Sequence, residues 1–455
     1  MVRLVKAELQ NFRGVEKGEV KFPSPLSAKR YIENVENAET NSEADINNKI
    51  DTLYNYGYTD TLGIVGPNGT GKTTLVDALS IVKDIICNNK IHYNKYDKTL
   101  SQKNESKEEP TIISCTFLVG PEISVSKEIQ FMKKNWTPYK ETRLANYKGC
   151  LVTYSINFAD TKYSVTITDT EGKDIEDNIE DILEELKYFV RNNFHIINHS
   201  CKESIYEILQ EIASDKREKT LSQEKFIEIS EIISKNNKVL PSIISNTKIE
   251  LEQTNHTNMN NSVSFITFLC ENGNRIPIEY ASEGIKKLIP VLHYLIQVHN
   301  NPEKCVVIDN IDRNIFGFAL GEIVLAINNN SKGQFIFTSN NSNVLTKLNS
   351  KHIICTTTNP KNRYIELHQT KSEAKENLED FYIRTLMLGG QKEPLCNIYD
   401  LLGIDSAFLV SGINPAPNTE EKISKLSENL QTFLSRVKMQ EASKKILRKK
   451  KNLYF

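Results

Sequence analysis

The clearest chemistry in this 455-residue sequence lies in Gly66-Pro67-Asn68-Gly69-Thr70-Gly71-Lys72-Thr73, a glycine, four residues, then Gly-Lys-Thr. This is the spacing of a phosphate-binding loop. Glycines let main-chain amides turn inward toward phosphate oxygens, and the helix start that follows adds its positive dipole end. Lys72 is expected to reach the β- and γ-phosphates of ATP, and the Thr73 hydroxyl to ligate Mg2+. Asn68, Gly69, Thr70, Gly71 and Thr74 are the remaining ATP contacts expected of this loop.

Two later stretches could complete such a site. In Lys304-Cys305-Val306-Val307-Ile308-Asp309, four apolar residues end in a carboxylate. A buried strand of that kind delivers Asp309 at its C-terminal end, where it would be a second Mg2+ ligand. The lesser alternative is an aspartate that closes a surface strand. Ala281-Ser282-Glu283-Gly284 opens a helical run one helix upstream of that strand. Helix N-termini hold phosphates, so Ser282 and Gly284 are candidate nucleotide contacts. An ordinary N-capped helix explains the same residues.

The elements that must position these groups read as α/β. An apolar run at 62–65 precedes the loop, and a helical run from Thr74 to about Ile86 follows it. Residues 2–12 and 18–22 alternate apolar and polar side chains around Arg13-Gly14, as a hairpin or neighbouring strands do. Strands are expected near 111–119, 151–158 and 163–168, with a turn at Glu171-Gly172. From Ile175 onward, Ile179, Ile182, Leu183, Leu186, Phe189 and Val190 recur at three- and four-residue spacing. Residues 175–261 are therefore expected to form an inserted helical arm or lid. A hairpin follows around Glu271-Asn272-Gly273-Asn274, and helices and strands then alternate to about 357. That alternation argues for a mostly parallel sheet flanked by helices. Residues 24–59 and 88–110 read as polar insertions. Residues 368–455 read as a helical C-terminal region, whose stripe Ile423, Leu426, Leu430, Phe433 and Val437 is a core face or a dimer or partner contact.

Hydrophobic residues make up 39% of the chain and charged ones 25%, with a formal net charge of -1. Such a chain is an ordinary soluble protein of two or three domains, with no global attraction to nucleic acid or membrane. Lysines in 88–110 and the cluster Lys444, Lys445, Arg448, Lys449, Lys450 and Lys451 are solvated segments or local nucleic-acid contacts. The eight cysteines stand singly, without a Cys-x-x-Cys pair, as small core residues do in a reducing cytosol. No leader is apparent and no apolar run approaches membrane-spanning length, so a cytoplasmic location is expected.

Phosphate loop, Ser-x-Gly helix start and aspartate strand, split by an inserted helical block, together resemble the ABC-type ATPase heads of the SMC and RecF group. Leu9 to Gly14, with Asn11-Phe12-Arg13, is similar to that group's first strand, which implies a nucleotide contact for Arg13. The resemblance is carried by 1–87 and 262–367 and implies a head formed by 1–174 and 262–367. Within the group the chain looks most like the compact ATPases of bacterial antiphage systems, above all the ATPase subunit of Septu systems. That subunit works with an HNH nuclease. The resemblance implies that two heads sandwich two nucleotides, Lys72 and Thr73 of one facing Ser282 and Gly284 of the other. It also implies an HNH-type nuclease partner, with DNA reached through that partner or through basic patches.

Two positions depart from the family. Asn310 stands where the family has the glutamate that polarises the attacking water, and Asn340 where it has the switch histidine. An amide accepts no proton near neutral pH, so binding groups are intact and hydrolysis groups are not. Asp312 is a carboxylate that could take over. Two functions stay open: a dimeric ATP-binding regulator of a nuclease with weak or absent hydrolysis, and an active ATPase acting on DNA ends in repair.

Overall fold

The computed structural model describes residues 2–24, 60–89, 110–120, 149–159, 162–198, 201, 203–214, 218–244, 246–254, 262–313, 317–341, 344–345, 347–348 and 352–366. The polar insertions, save for their edge residues, and the C-terminal region lie outside these.

Clean alternation at the start of the chain gives β1 (Val2–Phe12), which turns at Arg13-Gly14 into β2 (Val15–Lys21). The short apolar β3 (Thr61–Val65) runs into the phosphate loop and α1 (Lys72–Asn88). Next come β4 (Ile112–Val119), β5 (Cys150–Asn157) and β6 (Lys162–Asp169). They join the first hairpin in an antiparallel sheet ordered β2-β1-β4-β5-β6. The chain continues through α2 (Ile179–Asn192), β7 (Phe194–Ile197), α3 (Ser204–Ser214), β8 (Lys219–Ser222), α4 (Gln223–Ile243) and β9 (Thr247–Gln253). β10 (Ser262–Glu271) and β11 (Asn274–Pro277) form a hairpin through Asn272 and Gly273, at φ 50 and 82. The last described elements are α5 (Glu283–Asn300), β12 (Cys305–Ile308), α6 (Gly317–Asn330), β13 (Gln334–Ser339), β14 (Ile353–Thr356) and β15 (Tyr364–Glu366).

The second sheet runs β15-β14-β3-β13-β12-β7 and is parallel except for β15. It is covered on both faces, which is why its strands read as unbroken apolar runs. Cys305 and Val307 enter a core with α1 and the antiparallel sheet, while Val306 and Ile308 enter one with α5 and α6. The two sheets are also clipped by polar groups. The buried Gln334 side chain donates to Leu4 O (2.8 Å) and accepts from Leu4 N (3.0 Å).

The arm drawn at 175–261 does not hold as a unit. β7 lies inside that range yet pairs in parallel with β12, His195 opposite Val306, so it belongs to the main sheet. Four residues between two helical runs are too short for a period-two signal. At the other boundary, β8 and β9 both pair with β10 across residue 262. This small sheet packs with α3, α4 and the first half of α5 in a core that includes Leu209, Ile229, Leu240, Phe265 and Leu288. The segment read as helical is thus an α/β unit carrying the Ser282 helix. Among the described residues, no helix is long and apolar enough to cross a membrane.

Glu203, just before α3, ties three elements together. Its carboxylate meets Lys83 of α1 at 3.0 Å, His195 of β7 at 2.8 Å and the Tyr294 hydroxyl of α5 at 3.0 Å. Burial alone would raise its pKa, but His195 and Lys83 outweigh it and hold the carboxyl at about 2. A depressed carboxyl pKa stabilises the fold above the unfolded value near 4.5 and loses that contribution as pH falls toward 2. Glu203→Gln is expected to cost roughly 1.5–3 kcal/mol at pH 7, the range for hydrogen bonds to a charged group. Denaturant unfolding at pH 7 and pH 3 checks this: the gap from wild type should narrow at low pH, and an undiminished gap contradicts the account.

Gly66 ends β3 against β14. A Cβ there would sit 2.0 Å from Thr356 Oγ1 and 2.7 Å from Thr356 O. That hydroxyl is already bonded to Thr70 Oγ1 at 2.6 Å, so it has little room to move. Gly66→Ala is expected to destabilise by about 1–3 kcal/mol, the usual cost of overpacking. Thermal unfolding at the wild-type midpoint would refute this.

Candidate functional site

The C-terminal ends of β3, β12 and β13, adjacent in the parallel sheet, bring the sequence motifs together. Ligands of open α/β sheets bind at such strand ends. From β3 the loop emerges with Pro67, Asn68 and Gly69 exposed and with Gly71 at φ 96 as the N-cap of α1. No side chain caps α1, which leaves its first amides to an anion. Tyr364 of β15 fixes the turn from below, its hydroxyl donating to Gly71 O at 2.8 Å. The Lys72 ammonium folds onto Gly66 O (2.6 Å) and Pro67 O (2.7 Å). Burial lowers its pKa to about 8, against the pull of Asp312 and then Asp309.

From β12 comes Asp309. Its Oδ2 accepts from the Thr73 hydroxyl at 2.9 Å, and its Oδ1 from the Thr338 hydroxyl at 2.6 Å. The adjoining Thr73 and Asp309 oxygens fit Mg2+, which takes one or two protein oxygens and fills its remaining positions with phosphate and water. Thr338 in turn accepts from Asn310 N at 2.7 Å.

The two amide positions are differently used. Asn310, at φ 50, turns its Nδ2 to Asp309 Oδ2 (3.1 Å), and its carbonyl accepts from Lys287 Nζ (2.9 Å). Lys287 is held at a pKa of about 8, by burial first and by the neighbouring Arg313 charge. Asn340 is exposed at the end of β13, where its main-chain N–H donates to Asp312 Oδ2 at 3.0 Å. Arg13, at φ 52 in the β1–β2 turn, pairs with Asp77 of α1, whose other oxygen accepts from Asn198 Nδ2 at 3.2 Å. Thr74 follows Thr73 in the first turn of α1.

Ser282 and Gly284 stand apart. Ser282 is exposed and caps α5, accepting from Ile285 N at 3.4 Å; among the described residues no hydrogen bond joins it to the loop. Four neighbours of the site escaped the motif reading. Thr338 lies within β13 and Lys287 in the first turns of α5, and neither belongs to a phosphate-binding motif. Asn198 follows β7, the strand whose short run carried no period, and Tyr364 lies on a three-residue edge strand.

A family model described as "AAA domain, putative AbiEii toxin, Type IV TA system" matches residues 62–346. None of the curated proteins matches the chain. Among solved structures, the chain is similar to an SMC head bound to the C-winged helix domain of ScpA, at 13% identity and a TM-score of 0.45, over 80% of this chain and 97% of that one. It is similar to the SMC head domain from Thermotoga maritima at 12% identity and 0.39, over 80% and 98%. An Smc head with an extended coiled coil, bound to the C-terminal domain of ScpA derived from Pyrococcus furiosus, gives 13% and 0.44, over 81% and 98%. The family match spans more than half of the sequence, from β3 through the loop and the Asp309 strand to beyond β13, and the chain belongs to this AAA-domain family of P-loop ATPases.

Proposed function

We propose that the chain is the ATP-binding, SMC-like ATPase subunit of a bacterial antiphage complex of the Septu kind. Mg-ATP binds between the heads of two copies, and the bound state regulates a partner nuclease of the HNH type. The observation that carries this reading is the contrast within one site. Lys72, Thr73 and Asp309 converge as a ground-state grip on phosphate and Mg2+, whereas the neighbouring Asn310 amide is turned to Asp309 as a donor. Loss of a general base typically slows a reaction by roughly 10²–10⁴. A head turning over that slowly stays loaded, and its occupancy holds a partner in one state by differential affinity for two conformations. The toxin–antitoxin description of the family is in keeping with a role in bacterial conflict. The exposed Ser282 at the start of α5 is in keeping with use by a second copy.

Lys72→Ala removes a charge-assisted phosphate contact of about 1.5–3 kcal/mol, so ATP affinity should fall roughly ten- to a hundredfold. Equal ATP binding by the two proteins in calorimetry would sink the assignment. Light scattering with Mg-ATP should give a dimer or an assembly of dimers, and Ser282→Arg should reduce it to monomer. A wild-type protein that stays monomeric with ATP and with its neighbouring gene product contradicts the sandwich.

A further inference from the structure

Asp312 lies three residues past Asp309, in the turn that follows β12. Its Oδ2 is fixed by the Asn340 main-chain N–H at 3.0 Å, which ties it to the end of β13. Its Oδ1 is buried and, among the described residues, has no hydrogen-bond partner. A buried carboxylate oxygen left unpaired is costly, and in native proteins it commonly awaits a water, an ion or a reacting group. The cations around it belong to the site. Asp312 acts on the Lys72 ammonium ahead of Asp309, and the same two carboxylates in the same order act on Lys287. Asp312 therefore lies in the field of the loop lysine, in the turn after β12 and bonded to the end of β13. A terminal phosphate gripped by Lys72 comes to that region. Asn310 cannot serve there, because an amide accepts no proton near neutral pH, and its nitrogen donates to Asp309 at 3.1 Å.

We propose that Asp312 is the water-activating carboxylate of this site, the route for whatever hydrolysis it retains. This rests on the nucleotide-binding reading above. A water held by Asp312 Oδ1 attacks the γ-phosphorus as its proton passes to that oxygen. The bond from the γ-phosphorus to the bridging oxygen breaks, and its electron pair stays on the leaving ADP. Inorganic phosphate departs, and the carboxyl returns its proton to solvent. Held on one side by Asn340, the short aspartate side chain has little freedom to follow the water, in keeping with the slow turnover proposed above.

The test uses the full chain with Mg-ATP and the near-isosteric Asp312→Asn. ATP affinity in calorimetry should be kept or tightened, since an anion near the phosphates is removed. Single-turnover ATP cleavage should slow by roughly 10²-fold or more. Affinity for ADP with aluminium fluoride, a mimic of the transferring phosphoryl group, should fall at least about tenfold. Adding Asn310→Glu to Asp312→Asn should restore cleavage. Wild-type cleavage or unchanged aluminium fluoride affinity in Asp312→Asn overturns the proposal, and so does loss of ATP binding in a variant that still unfolds cooperatively. If Asp312→Asn does not fold, Asp312→Ser is judged by the same outcomes. Absence of ATP binding in the wild type would instead remove the nucleotide reading itself.

Discussion

One carboxylate holds this site together. Asp309 accepts from Thr73 at the start of α1, from Thr338 of β13 and from the Asn310 side chain, so groups from three neighbouring strand ends meet on two oxygens. A buried anion survives only with such donors around it. The surrounding architecture supplies them. Parallel pairing of β3, β13 and β12 aligns their C-terminal ends, and cores on both faces of the sheet fix that alignment. Gly66, with no room for a Cβ beside Thr356, lets the loop leave β3 at the height where Thr73 can reach Asp309.

Two lysines and two carboxylates meet at the site. Lys72 and Lys287 are partly desolvated cations, each drawn toward Asp309 and Asp312. A nucleotide would bring negative phosphates to Lys72 and displace it from the Gly66 and Pro67 carbonyls it now occupies. Lys287 belongs to the helix that Ser282 opens, yet it bonds the Asn310 carbonyl of its own chain. The helix expected to meet a second copy is thereby tied to the loop beside Asp309.

Much of this was legible in the sequence, because the informative residues are constrained locally. The Gly-rich loop, the apolar run before Asp309 and the turn at Asn272-Gly273 each carry their own geometry, and the structure places them as read. Pairing across long separations was not legible. β7 has four residues and belongs to the main sheet only because β12, more than a hundred residues later, offers an edge. β8 and β9 are strands because β10 pairs with them, so local helical periodicity nearby misled the boundary at 262. For the same reason Asn198, Thr338 and Lys287 were invisible as site residues. Their side chains matter through neighbours that only the fold supplies.

The central claim is that the site grips ATP well and cleaves it poorly. The most direct measurement is the identity of the bound nucleotide over time, read by quenching equimolar protein and Mg-ATP and separating ATP from ADP. With Asn310 in place of the glutamate and only the constrained Asp312 to replace it, cleavage should fall roughly 10²–10⁴ below an ordinary enzyme rate of about 10 s⁻¹. The bound fraction should therefore remain mostly ATP for seconds to minutes. Bound nucleotide that is already ADP within about a tenth of a second, in wild type but not in Lys72→Ala, would contradict the account.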